Sequence, residues 1–148
     1  MKKILGIGNA LVDILVQLPN DDPLHKLKLP KGSMQLIDQT TMCRIAETTS
    51  ILNKHVATGG SASNTSVALA RLGCNVGFIG KVGCDEIGDF YATDLNNNGV
   101  TPHLLKSDLP SGRCDVLISN DSERTMATYL GAAVTLNAED LNIDIFRQ

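Results

Sequence analysis

Asp13 stands inside the apolar run Leu11-Val12-Asp13-Ile14-Leu15-Val16, where an ionised carboxylate is costly unless something donates hydrogen bonds to it. It therefore either has a dedicated partner or opens onto a cavity. Its two oxygens can accept from both hydroxyls of a vicinal diol, as in a ribose or a ketose. An Asp that accepts from backbone N–H groups at a strand bend would carry the same sequence. Asn9 is the companion polar residue. On a straight strand the two would lie about 13 Å apart, so a bulge or turn must bring them together if both touch one small ligand.

A second group of residues suits the same chemistry. Gly59-Gly60-Ser61-Ala62-Ser63-Asn64-Thr65-Ser66 follows the β-like run His55-Val56-Ala57-Thr58 and leads into a helical pattern that closes at Gly73. The glycines lack the Cβ atoms that keep a ligand off the main chain. The first turn of the helix presents free N–H groups and the positive end of a dipole, which suits hydroxyl oxygens or anions. Close packing of helix on sheet would select the same small residues. Asn64 favours the ligand reading, because it offers donor and acceptor at the mouth of the helix.

The elements that must position these groups can be read from periodicity. Lys3 to Gly8 and Val12 to Leu18 are strand-like and joined by a bend at Gly8-Asn9. Pro19 to Pro30 reads as loop with a short helix, and Ser33 to Ile37 as a short strand. Asp38 caps a helix from Gln39 to about Asn53, since Met42, Ile45, Ala46, Thr49 and Leu52 recur at helical spacing. After a strand to Thr58 come the glycine-led helix to Leu72, an apolar strand from Val76 to Val82, and a helix from Asp85 to about Asn97 that ends at Asn98-Gly99. This alternation predicts an α/β fold with a parallel sheet. Gly112 to Ser119 and Arg124 to Leu130 form a hairpin around Asn120-Asp121-Ser122-Glu123, with Met126, Thr128 and Leu130 on one face. A helical turn is expected around Ala138 to Leu141.

Composition narrows the partners. The chain has 148 residues, 43% of them hydrophobic, enough for one domain with a real core or part of a larger one. A net charge of −3 without a Lys/Arg cluster argues against a nucleic-acid or anionic-membrane binder, and no stretch is long and apolar enough to span a bilayer. Met1-Lys2-Lys3 imitates the start of a secretory signal, but Asn9 and Asp13 interrupt the apolar run. Cys43, Cys74, Cys84 and Cys114 show no metal-ligand spacing and read as thiols of a reducing cytoplasm. Gly6-x-Gly8 fails as a dinucleotide fingerprint because Leu11 holds the third glycine position and a strand follows, which disfavours a nicotinamide-dependent oxidoreductase. No phosphate-binding G-x-x-x-x-G-K-[ST] run occurs, and His25, His55 and His103 have no triad partners.

The stretch Gly59, Gly60, Ala62, Asn64, Ser66, Gly73 and Gly83 resembles, without departure, the first signature of the ribokinase/PfkB family of carbohydrate and nucleoside kinases. Gly8-Asn9-Ala10-Leu11-Val12-Asp13-Ile14 is similar to that family's opening strand, and Arg124-Thr125-Met126-Ala127-Thr128-Tyr129-Leu130-Gly131-Ala132 resembles its adenosine-kinase-like members. The resemblance implies a ribokinase-like sheet flanked by helices with a small β lid built from strands near 33–37 and 112–130. It implies transfer of the γ-phosphoryl of ATP, with Mg²⁺, to a primary hydroxyl, and a nucleoside or ribose-type acceptor before a fructose-type sugar. Asn9, Asp13, Gly59, Gly60 and Asn64 would bind that acceptor, with Asp13 and Asn64 converging on its diol, and Gln35, Met126 and Thr128 would lie near the rest of it.

The family's base is an Asp after a Gly-Ala-Gly run, and its chains are about twice this length. Gly131-Ala132-Ala133 is the nearest approach here and no Asp follows it. Residues 1–148 are therefore expected to form the amino-terminal, substrate-binding half of such a kinase, truncated, inactive alone, with no catalytic residue and no tight binding of ATP or Mg²⁺. A non-catalytic binding or oligomerisation module is the alternative. A cut sheet leaves an uncovered edge, so a homo-oligomer is expected, through that edge or the lid strands.

Overall fold

A computed structural model describes residues 3–147, and the chain divides into two compact units. The first comprises residues 3–12, 58–112 and 130–147. Its sheet holds β1 (Lys3–Ile7), and the second unit takes up the chain within β2 (Leu11–Gln17).

The second unit comprises residues 13–57 and 113–129. It contains most of β2, α1 (Asp22–Leu27), β3 (Met34–Leu36), α2 (Gln39–Thr48), most of β4 (Lys54–Gly59), and the hairpin of β7 (Gly112–Ile118) and β8 (Arg124–Tyr129), in a five-stranded sheet ordered β3-β8-β7-β2-β4. The hairpin is antiparallel from Arg113 opposite Tyr129 to Ile118 opposite Arg124, and β3 runs parallel to β8. Strand β2 alternates as its sequence does: Val12, Ile14 and Val16 are buried, whereas Leu11, Asp13 and Leu15 are half-buried. Helix α2 packs on α1 and β8, with Leu24, Leu27 and Ile45 buried between elements. Asp38 caps α2 by accepting from the Thr41 N–H at 2.7 Å. The helix ends at Thr48, short of the expected Asn53. Thr49 turns both its N–H and its hydroxyl back onto the Ile45 carbonyl at 2.9 Å, and hydroxyl residues that bond the local backbone this way compete with helix continuation.

In the first unit β5 (Asn75–Gly83) lies between β1 and β6 (Val100–Ser107), all parallel, with Lys3 opposite Asn75 and Val76 opposite Val100. Helix α3 (Ser61–Arg71) packs on β1 and β5, and α4 (Glu86–Asn97) on β5 and β6. Strand β5 is buried from Val76 to Gly80, as a near-continuous apolar run in a parallel sheet should be. Phe78 meets Tyr91 of α4 with ring centroids 5.9 Å apart. Asp85 caps α4, accepting from the Gly88 N–H at 2.8 Å, while its carboxylate also takes the Ser111 N–H and hydroxyl at 2.8 and 2.6 Å. Burial opposes ionisation there, yet these donors hold the carboxyl below the ordinary range. Strand β6 was not legible in the sequence, because Pro102 demotes the run; it is an edge strand, where proline is tolerated. Among the described residues three short 3-10 turns follow β8, at Gly131–Thr135, Ala138–Asp140 and Ile143–Phe146.

Candidate functional site

The first unit gathers four of the sequence-selected residues at the opening of α3. Gly60 is its N-cap and sits at φ 92, ψ 128, a left-handed conformation that glycine adopts at little cost. A Cβ on Gly60 would also lie 2.7 Å from the Asn9 carbonyl oxygen. The bend after β1 and the start of α3 therefore touch at Asn9 and Gly60. Asn64 closes the first helical turn, its N–H donating to the Gly60 carbonyl at 2.9 Å, and its side chain is exposed. No side chain caps this helix, so its leading N–H groups keep their donor capacity. The packing role of small residues is present as well: a Cβ on Gly6 would overlap the Ser66 hydroxyl. Ser63, not selected from the sequence, is fully buried near Gly60, and its hydroxyl has no hydrogen-bond partner among the described residues.

The second unit carries Asp13 on β2, and Met126 and Thr128 on one face of the β7-β8-β3 part of its sheet. Register pairs Cys114 with Thr128 and Thr128 with Leu36, and likewise Val116 with Met126 and Met126 with Met34. Paired residues share a face. Burial raises the Cys114 thiol's pKa, a hydrogen bond with Thr128 opposes it, and the charges of Asp13 and Asp115 are smaller contributions in the raising direction. Burial also pushes the Asp13 carboxyl above the ordinary carboxylate range. The opposite face carries Gln35, which pairs with Ala127, so Gln35 is set apart from Met126 and Thr128. That face also carries Asp115, fully buried and bound by both Arg113 Nε at 3.0 Å and the Arg113 terminal guanidinium nitrogen. Burial raises the Asp115 carboxyl while the guanidinium opposes it.

Met34 and Leu36 are the residues that sequence reasoning missed on the face of Met126 and Thr128, and they are 74% and 73% exposed. The signal was present: their parity on β3 matches that of Met126 and Thr128 on β8 once the two strands are paired. Cys114 was missed because a lone cysteine without ligand spacing carries no sequence-level signal. Among the described residues no three His, Cys, Asp or Glu side chains cluster as a metal site.

The model of the pfkB family carbohydrate kinases matches residues 33–148. The chain belongs to this family. It is 35% identical over 135 residues to the adenosine kinase of Dictyostelium discoideum, covering 88% of this chain and 39% of that protein. It is 35% identical over 104 residues to the 5-dehydro-2-deoxygluconokinase of Geobacillus kaustophilus, covering 68% and 30%. The solved adenosine kinase of Sinorhizobium meliloti is 36% identical, with a TM-score of 0.78 over 99% of this chain and 44% of that one. The pfkB fold, an α/β sheet flanked by helices, is thus shared, and the chain spans less than half the length of these relatives. Among the described residues no helix is long and apolar enough to cross a membrane.

Proposed function

We propose that this chain is the acceptor-binding portion of an ATP-dependent kinase that phosphorylates a primary hydroxyl of a nucleoside. The observation that carries the acceptor-binding reading is the opening of α3, where Asn9, Gly59, Gly60 and Asn64 are brought to one uncapped helix start by the φ of Gly60. In the first unit Asn64 and the leading N–H groups offer donors to sugar hydroxyls; in the second, the Asp13 carboxylate can accept from the two hydroxyls of a diol. Loss of its hydration raises the Asp13 pKa, and hydroxyl donors from a bound diol would restore the stability of the charged form. ATP with Mg²⁺ supplies the phosphoryl group in such a reaction. We assign the base that takes the hydroxyl proton to none of the residues in this chain, because Gly131-Ala132-Ala133 is followed by Val134 and not by an acid.

The preference for a nucleoside rests on the second unit. Across its sheet, Cys114, Thr128 and Leu36 form a row from β7 to β3, and β2, which carries Asp13, lies next to β7. Next to the Thr128–Leu36 pair stands the Met126–Met34 pair, so Met34, Leu36 and Met126 form an apolar patch on this face. A flat heteroaromatic base attached to a ribose would bury such side chains; a bare ribose or fructose has nothing to lay on them.

Titration calorimetry of the chain with adenosine, ribose and fructose tests this. Adenosine is expected to bind most tightly, and Leu36→Ser to weaken adenosine about tenfold, as for an apolar side chain denied a partner, while leaving ribose unchanged. Binding of none of the three would overturn the acceptor reading, and equal binding of adenosine and ribose would overturn the nucleoside reading. Phosphoryl transfer from ATP by the chain alone would refute the assignment of the base.

A further inference from the structure

Gly59 and Gly60 have no side chains with which to hold their own turn, and the helix they open has no side-chain cap. What holds the turn lies on either side of it. On one side the Asn64 N–H donates to the Gly60 carbonyl. On the other, the Thr58 hydroxyl donates to Asp94 Oδ2 on α4. Asp94 is itself fixed: the Asn98 side-chain amide donates to its backbone carbonyl at 2.8 Å and to its Oδ1 at 3.4 Å. Asn98 Oδ1 in turn accepts from the Arg71 guanidinium at 2.7 Å, in the last turn of α3. The relay Thr58–Asp94–Asn98–Arg71 thus starts at the residue before the glycine pair and ends at the far end of the helix that the pair opens.

The placement of Asp94 is not what helix stability selects. It lies near the carboxyl end of α4, where no basic residue offsets it and where a negative charge opposes the helix dipole. A half-buried acid kept at that end and aimed at a β-strand hydroxyl serves something other than its own helix.

We propose that Asp94 is a positioning residue for acceptor binding, acting through Thr58 to fix the Gly59–Gly60 turn and hence the direction of the Asn64 side chain. This rests on the acceptor-binding reading above, and nothing in that reading requires Asp94. Thr58→Val removes the hydroxyl and keeps the shape; Thr58→Ser keeps the hydroxyl. The loss of a hydrogen bond to a charged acceptor predicts about tenfold weaker adenosine binding in Thr58→Val and near-unchanged binding in Thr58→Ser. The same loss predicts about tenfold faster hydrogen exchange at the Asn64 amide in Thr58→Val, with the Ile79 and Val82 amides of β5 unchanged. Asp94→Asn, which keeps an acceptor oxygen without the charge, should fall between.

The exchange measurement needs no ligand. If wild-type chain binds no adenosine, the acceptor reading fails while Asn64 exchange still decides whether Asp94 positions the turn. Unchanged Asn64 exchange in Thr58→Val overturns the proposal, as does a fall in Thr58→Ser equal to that in Thr58→Val, or a loss of protection that extends to Ile79 and Val82.

Discussion

At Asp13, stability and the proposed acceptor binding pull in opposite directions. Its carboxyl is held above the ordinary value of 3.8 by burial. The folded chain therefore binds this proton more tightly than the unfolded chain, and the group lowers stability as pH rises through the interval between 3.8 and its raised folded value. Asp13→Asn removes the titration. The melting temperature of Asp13→Asn relative to wild type should rise as pH is taken from below 3.8 toward neutrality, while the variant loses acceptor binding. A wild type that melts above Asp13→Asn by a margin growing with pH would show that some donor already stabilises the charge within the fold. The sequence pointed to this residue because a carboxylate in an apolar run is conspicuous; it could not show that Cys114 on the neighbouring strand pairs with Thr128, since that depends on strand register.

Among the elements, those whose capping chemistry is local were the most legible. Asp38 and Asp85 were both read as helix caps and both accept from an N–H three residues on. Asp85 does more than its sequence position announces. By also binding Ser111 it ties the start of α4 to the segment between β6 and β7. Asp85→Ala should therefore exceed an ordinary cap loss and cost about 2 kcal/mol in denaturant unfolding at neutral pH. Because its folded carboxyl sits below the ordinary 3.8, this contribution is present above that value and is lost as pH falls through the lowered one. The gap between wild type and Asp85→Ala should narrow in acid, and a gap constant with pH would assign the cost to packing. Elements whose definition depends on partners were less legible. Strand β6 exists because β5 offers it an edge, despite Pro102, and Gln35 fell on the wrong face of β3 relative to Met126 because parity on one short strand says nothing of its register on the next.

For the whole molecule, the family and the α/β class were readable because the glycine signature and the strand-helix alternation are both local in sequence. The division into two units was not, since the chain passes between them next to the residues of interest: before Asp13, just before Gly59, and after Tyr129. We expect the sheet edges to set the quaternary state. Ile4-Leu5-Gly6-Ile7 has the composition of an interior strand of a parallel sheet, yet β1 lies at an edge, with Ile4 39% and Ile7 51% exposed. An apolar edge of this kind is a template for a further strand. We predict that the chain self-associates in solution through β1, and that Ile7→Lys, which places a charge on that edge, restores a monomer without loss of adenosine binding. Leu36→Lys, on the other exposed apolar strand, should leave the association intact and weaken the nucleoside. Light scattering that finds wild-type chain monomeric across its soluble range, or association that survives Ile7→Lys and is broken by Leu36→Lys, would transfer the role of the interface from β1 to β3 or remove it.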